Sequence, residues 1–391
     1  MNLRMRLEES WGQLDMKFDT LRFDEVSINF DKKRKPLSSM ERVERKGRYR
    51  YYGAQGIIDY IDDYIFDGDY LLIAEDGENL KSKKQNIAQL VHGQFWVNNH
   101  AHIIQTNELC GLRYLYYLIN SMDLSGYITG SAQPKLSQAN LNALELNIPE
   151  RSVQGKIVSV IGDLDDRITM NSRINDNLYE QVTNYYKHLF AGITSTTSVG
   201  EMADNIFSGG TPSTANEAYW NGDHYWLSSG ETSNRFIVST IKTITDEGIT
   251  NSSTRKANKY DIAIASAGQG HTRGQTSMLL TETYVNQSII VVHADGDYLP
   301  FLFWNIANRY EELRVISNSN SIRGSLTTKM ISSLNIPKTE AARIKQFSDY
   351  AWPIIKTIEN NLNENQRLTA IRNVLLPKLM SGELDVSNLD I

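Results

Sequence analysis

The chain repeats itself: the same succession of features occurs twice, displaced by about 190 residues, and a duplication on that scale confines the fold to two units of like architecture. Asp69-Tyr-Leu-Leu-Ile-Ala-Glu-Asp-Gly77 and Tyr260-Asp-Ile-Ala-Ile-Ala-Ser-Ala-Gly268 are short apolar runs closed by glycine, the form of a buried strand that ends in a turn. Val97-Asn-Asn-His-Ala-His-Ile-Ile and Val285-Asn-Gln-Ser-Ile-Ile-Val-Val each read as a turn leading into a second strand. Aromatic-rich helical stretches follow, Leu112 to Ile119 and Leu299 to Ile306. Polar loops come next, Gly130-Ser-Ala-Gln-Pro-Lys135 and Asn318-Ser-Asn-Ser-Ile-Arg-Gly-Ser325. Each copy closes on the same four letters, Leu146-Asn-Ile-Pro149 and Leu334-Asn-Ile-Pro337, and enters a long helix.

Those two helices carry apolar residues mostly three and four apart, beginning at Ile157 and Ile344. At about 1.5 Å per residue, roughly 35 residues make a rod of about 50 Å. An apolar stripe of that length needs a partner. Either the helices pair as an antiparallel or parallel coiled coil, or each packs on its own domain. Pairing would use Ile157, Leu164 and Leu178 on the first helix and Ile344, Ile358, Leu362 and Leu379 on the second. Asn171 and Asn365 would fall on or near the seam and set register. Pro353 and Pro377 predict a kink or break in the second helix.

With 391 residues, the chain is long enough for two or three domains that each bury a core. It holds no run of eighteen or more apolar residues. Met1 to Trp11 mixes Arg4 and Arg6 with Glu8 and Glu9, unlike an apolar signal core, and a cytoplasmic protein is expected. The single cysteine, Cys110, excludes an internal disulfide or a cysteine-based zinc site and reads as core filler. A net charge of -6 argues against a surface that is basic throughout. Locally the balance reverses: nine basic residues lie between Lys32 and Arg50 against two acids, Glu41 and Glu44.

Motifs of DNA-processing enzymes are missing. No Gly-x-x-x-x-Gly-Lys-Ser/Thr occurs, since the Gly155-Lys156 pair is followed by Ile157, and there is no His-Glu-x-x-His or EF-hand spacing. The Asn-Pro-Pro-Tyr and Asp-Pro-Pro-Tyr tetrapeptides of amino-methyltransferases are absent too. Gly268-Gln-Gly-His-Thr-Arg-Gly274 approximates a dinucleotide fingerprint, but its last spacing is one residue too long and a strand is expected after it. Asp67, Asp69, Glu75, Asp76 and Glu78 read either as a solvated turn or as a nuclease's metal site, with Asp69 and Glu75 as its ligands.

What remains suits DNA recognition, in which arginine pairs with guanine, glutamine with adenine, and lysine neutralises phosphate. In the first domain the candidates are Lys33, Arg34, Lys35, Arg42, Arg45, Arg48, Tyr49, Tyr51, Gln55, Gln133 and Lys135. In the second they are Thr211, Ser213, Tyr219, Trp226, Ser228, Ser229, Gln269, His271, Arg273 and Arg323, a set with far less charge. A solvated loop is the alternative for either cluster.

Over essentially its whole length the chain resembles the specificity subunit of type I restriction-modification enzymes. The two Leu-Asn-Ile-Pro segments resemble the family's junctions between recognition domain and conserved helix, and Leu375-Leu-Pro-Lys-Leu-Met-Ser-Gly-Glu-Leu384 resembles its closing motif. Ile206-Phe-Ser-Gly-Gly-Thr-Pro-Ser213 is similar to the usual opening of a recognition domain. Gly53-Ala-Gln-Gly-Ile-Ile-Asp59 with Phe66-Asp-Gly-Asp69 is similar to a first-domain variant. The chain departs from the pattern where a Glu-Gln pair should open each helix: it has Ser152-Val-Gln154 and Glu340-Ala-Ala342.

The expected fold is α+β: two similar target-recognition domains, an internal pseudo-twofold repeat, separated by two long helices forming an antiparallel coiled-coil spacer. The expected boundaries are 1–148 and 195–335 for the domains, and 149–194 and 336–391 for the helical regions. The resemblance implies a non-catalytic subunit that reads a bipartite site on double-stranded DNA through the major groove, one half per domain. It also implies two methyltransferase subunits as partners, and restriction subunits bound through them. S-adenosylmethionine, ATP and magnesium would then reside in the partners and no cofactor in this chain. A scaffold without a nucleic-acid role and a metal-dependent nuclease are the alternatives.

Overall fold

A computed structural model describes residues 16–130, 133–268, 271–318, 324–387 and 389, so Met1–Trp11, Gln269 and Arg323 lie outside the described residues. The chain divides into two compact units, Met1–Arg167 with Leu368–Ile391, and Ile168–Arg367. Each unit is α+β and takes part of each long helix, whereas the boundaries expected above fall at the helix ends.

Unit 1 is built on a six-stranded sheet: β1 (Ser27–Asn29), β2 (Lys46–Gly53), β3 (Gly56–Ile61), β4 (Phe66–Ala74), β5 (Ala88–Val97) and β6 (Ala101–Thr106). Their order is β1-β6-β4-β5-β2-β3. β4 is antiparallel to β5 and β6, and β2 runs parallel to β5. Leu71, Leu72 and Ile73 of β4 are all buried, which is why that run lacks polar and apolar alternation. Helix α1 (Leu112–Ser121) lays Tyr114, Leu115 and Leu118 on the core beside Ile157 and Ile161 of α2 (Arg151–Leu189). Cys110 fills the same core, and burial pushes its thiol up to about 12.

Unit 2 repeats this plan with β7 (Asn205–Ser208), β8 (Trp220–Leu227), β9 (Phe236–Ile237), β10 (Lys242–Ile244), β11 (Arg255–Ala257), β12 (Ile262–Ala265), β13 (Thr276–Leu279), β14 (Thr283–Val285) and β15 (Ile289–His293). The order β7-β15-β12-β13 reproduces β1-β6-β4-β5, and β8 runs parallel to β14 as β2 does to β5. The counterpart of the long β5 is interrupted at Leu280-Thr281-Glu282, so one sheet becomes two, β7-β15-β12-β13-β9 and β10-β8-β14-β11. Helix α3 (Leu299–Ala307) supplies Phe301, Phe303 and Trp304, all fully buried, to a core shared with Ile344, Phe347 and Ile355 of α4 (Ala341–Met380).

A short antiparallel ribbon closes each unit, Phe18–Arg22 with Glu145–Pro149 and Thr196–Ser198 with Asn335–Pro337. The duplicated Leu-Asn-Ile-Pro is the second strand of both ribbons, with Ile148 and Ile336 buried. At the start of α2, Gln154 donates to the carbonyls of Leu109 (2.8 Å) and Pro149 (2.9 Å) and accepts from Gly111 N (2.8 Å). One buried amide thus ties α1, the ribbon and the long helix.

The long helices pair antiparallel within each unit. In unit 2, Asn171 meets Asn365, Asn175 meets Asn361, and Gln181 meets Tyr350, the numbers rising on one helix as they fall on the other. In unit 1, Asp165 meets Arg372 (2.8 Å). Asn171, 2% exposed, donates to Glu364 (2.7 Å) and Asn365 (2.9 Å). Ile157, Ile344, Ile358 and Leu379 are buried, while Leu164, Leu178 and Leu362 are half-buried. Ile157 and Ile344 pack into the cores of their own units, so pairing and docking on the domain occur together. The break expected at Pro353 and Pro377 does not occur: α4 is continuous through both. Both prolines are exposed, and each leaves without a helical donor a carbonyl, of Asp349 or Asn373, that belongs to an exposed residue open to water.

Candidate nucleic-acid interface

Five segments of unit 1 converge. They are the loop after β1 (33–36), the β2–β3 turn around Gln55, the turn after β4 (Glu75–Gly77), the β5–β6 turn (Asn98–His100) and the loop at Gln133–Lys135. Asn98 N donates to Tyr52 O (3.0 Å), and the Asn98 side chain accepts from His100 N (2.8 Å). Glu75 N donates to His100 O (2.9 Å), Leu136 N to Glu75 O (2.8 Å) and Gly77 N to Pro134 O (3.1 Å). The Gln55 amide lies against Gly77, a residue at φ 114° that only glycine adopts readily. The Trp96 indole donates to Lys35 O (2.6 Å) and fixes the first loop.

Unit 2 repeats four of these bonds. Asn286 N donates to Leu227 O (3.2 Å), and the Asn286 side chain accepts from Ser288 N (2.9 Å). Ser266 N donates to Ser288 O (2.8 Å) and Leu326 N to Ser266 O (2.9 Å). The loop after β7 packs so closely that a Cβ at Gly209 would lie 1.9 Å from Val285 O, and one at Gly210 would lie 2.0 Å from Ser253 Oγ. Thr211 donates to Gln287 on the neighbouring turn.

Beneath the unit 1 surface lies a polar cluster without a counterpart in the aligned positions of unit 2, where Ile290 and Ser266 stand for His102 and Glu75. The Arg34 guanidinium bridges Glu75 (2.7 Å) and Asp31 (3.4 Å), and Lys135 reaches the other Glu75 oxygen (3.2 Å). His102, fully buried, is bonded to Asp31 (2.6 Å) and to Leu136 O (2.9 Å). Burial pushes both carboxyls up. Hydrogen bonds and charge from His102, with the Ile103 amide and Arg34, outweigh it at Asp31; Arg34, His102 and Lys135 outweigh it at Glu75, and both sit below the usual carboxylate range. Ligand atoms of Asp31, Glu75 and His102 lie within 4.8 Å of one another, the spacing of a metal site. The guanidinium of Arg34 already places a cation there. Asp69 and Glu75, the ligands of the nuclease alternative, are six residues apart along β4 and its turn, about 20 Å in extended chain, and do not assemble.

Several residues expected to touch DNA have other duties. Tyr51 is fully buried, its hydroxyl accepting from Leu37 N (2.9 Å). Trp226 is 4% exposed and donates to Gly210 O, and Arg273 is 8% exposed and donates to Asn318. Arg34 lies inside the polar cluster. Arg42 pairs with Asp59 over the Tyr51 ring, and Arg45 pairs with Asp62 and Asp63 over Trp96. Much of the basic patch is therefore neutralised by carboxylates on and just after β3. Arg48 is exposed and bonded to the half-buried Tyr49, away from the converging loops.

Lys33, Lys35, Gln55, Gln133 and Lys135 are exposed in unit 1, as are Ser213 and His271 in unit 2. Thr211, Tyr219, Ser228 and Ser229 are half-buried. Ser228 is held by Glu231 (3.1 Å), and the Ser213 carbonyl by the Trp220 indole (3.1 Å). Sequence reasoning missed Asp31, His102, Glu231 and Gln287. The duplicated Val-Asn of the two turns was the one visible sign of the asparagines that build both surfaces.

Residues 17–180 and 195–370 each match the family described as the type I restriction modification DNA specificity domain. A chain that carries this domain twice is of the DNA-specificity class. This chain belongs to the type I restriction-modification specificity subunit family. A Haemophilus influenzae protein assigned as a type I restriction enzyme specificity subunit is 37% identical over 141 residues, a match spanning 36% of each chain. The specificity subunit of the HindI enzyme of that organism is 21% identical over 356 residues, 69% of this chain and 77% of the relative. The fold is that of the type I restriction-modification S subunit of M. genitalium, with a TM-score of 0.62, 14% identity, and 93% and 96% of the two chains covered. Among the described residues no helix is long and apolar enough to cross a membrane.

Proposed function

We propose that each five-segment surface reads one half of a bipartite DNA target, and that the paired long helices set the unread gap between the halves. The observation that carries this reading is the repetition of four frame-building hydrogen bonds in two units whose sequences there differ almost completely. Asn98 and Asn286 hold the same scaffold, while the exposed side chains change from Lys35, Gln55 and Gln133 to Ser213 and His271. A conserved frame with exchanged side chains is what two readers of different half-sites require. The long helices would also dock two methyltransferase subunits, and restriction subunits through them. S-adenosylmethionine, ATP and magnesium would be held by those partners, and the assembly would work in the cytoplasm.

The test is made in the complex with its methyltransferase. Lys33→Ala should weaken binding to all sequences alike and lower the salt slope by about one. Gln55→Ala should cost about 1–3 kcal/mol of discrimination at one position of the first half-site. An unchanged preference at every position, with intact assembly, favours the scaffold.

A further inference from the structure

We propose that the Arg34–Glu75–Lys135 ion network, seated on the buried Asp31–His102 pair, is the positioning element of the first recognition surface: it sets the base preference of the first half-site without touching a base. The inference rests on the reading of that surface as a DNA reader.

Three of the five converging segments are joined through one carboxylate. Glu75 stands at the end of β4, receives Arg34 from the loop after β1, and receives Lys135 from the loop before the closing ribbon. Arg34 adds bonds to Asn99 O (3.3 Å) and Ala101 O (3.0 Å), which brings in the β5–β6 turn. Asp31 anchors the base of the network, accepting from Ile103 N (2.9 Å) and from His102, and His102 reaches Leu136 O behind the Lys135 loop. The Arg34 and Glu75 side chains are only 17% and 14% exposed, so these bonds are shielded from solvent. Lys33 and Lys35 flank Arg34, and Gln133 lies two residues before Lys135, so the exposed candidate readers sit on backbone that this network holds. Unit 2 fixes its corresponding loops by tight glycine packing and the Thr211–Gln287 bond instead. Loss of the network should therefore disturb one half-site only.

The experiment is Glu75→Gln in the full chain, co-expressed with its methyltransferase, with methylation read on targets carrying every single-base change in both halves. The expected result is about tenfold poorer discrimination in the first half, none in the second, and partial rescue by Glu75→Asp. Equal loss in both halves, or an unchanged preference in a chain that melts as the parent does, overturns the proposal. Should Glu75→Gln prevent folding, Lys135→Met, on the exposed limb of the network, carries the same comparison. If the unmodified chain directs no motif at all, the DNA reading itself has failed, an outcome distinct from a parent motif that the variant leaves untouched.

Discussion

Asp31 and Glu75 are carboxylates in places that water barely reaches, and both are held below the usual carboxylate range in the folded chain. A group whose folded pKa is depressed contributes stability that is complete above its unfolded pKa, about pH 4, and is lost as pH falls through the folded value. Acid should therefore weaken unit 1 through these two groups. Melting at a series of pH values down to about pH 3 should show Glu75→Gln less stable than the parent at neutral pH and less sensitive to acid. Equal acid dependence would mean that the network adds nothing. Tyr51→Phe should cost about 1 kcal/mol, since it removes the hydroxyl bonded to Leu37, and should leave base preference alone, which a melt paired with the methylation assay would check. At this scale the basic and polar residues of the five-segment surfaces stand out in the sequence, but which of them are exposed and which are held in ion pairs or buried does not. Arginines at 34, 42 and 45 look alike in the chain, and only the arrival of Glu75, Asp59 and Asp62 from later segments separates these ion-paired arginines from exposed lysines such as Lys33 and Lys35.

The elements were more legible, because periodicity reports burial directly. The apolar run of β4, the aromatic helices α1 and α3 and both long helices follow from it, and the Leu-Asn-Ile-Pro repeat marks the same ribbon twice. The interruption of the β5 counterpart was hidden, since Leu280-Thr281-Glu282 differs little from ordinary strand sequence. The continuity of α4 was misread because proline is judged by its missing donor, whereas its surroundings decide the outcome. Pro353→Ala should restore a donor to Asp349 and raise stability by about 1–3 kcal/mol, measured as a higher Tm. On the helix seam, Asn171→Leu removes an amide that bonds two partners and should destabilise the chain by about 1–3 kcal/mol. In a double-mutant cycle, Asn171→Leu with Asn365→Leu should recover part of that loss by apolar packing. Additive losses would mean that the two asparagines are not coupled.

For the whole molecule, the proposed reading makes the two duplicated surfaces separable. The domains share hydrogen-bonded frames but not side chains, so exchange of one should leave the other's preference intact. Four residues inserted in α2 between Ile157 and Leu189 should alter the gap between half-sites and neither half itself. An unaltered target would show that the helix does not set the gap. The most direct measurement is to co-express the chain with its methyltransferase, map methylated bases across the host genome, and repeat the map after exchanging residues 25–145 for those of a relative. The account predicts a bipartite motif that changes in one half and keeps the other half. A motif that changes in both halves, or no motif that depends on this chain, would contradict it.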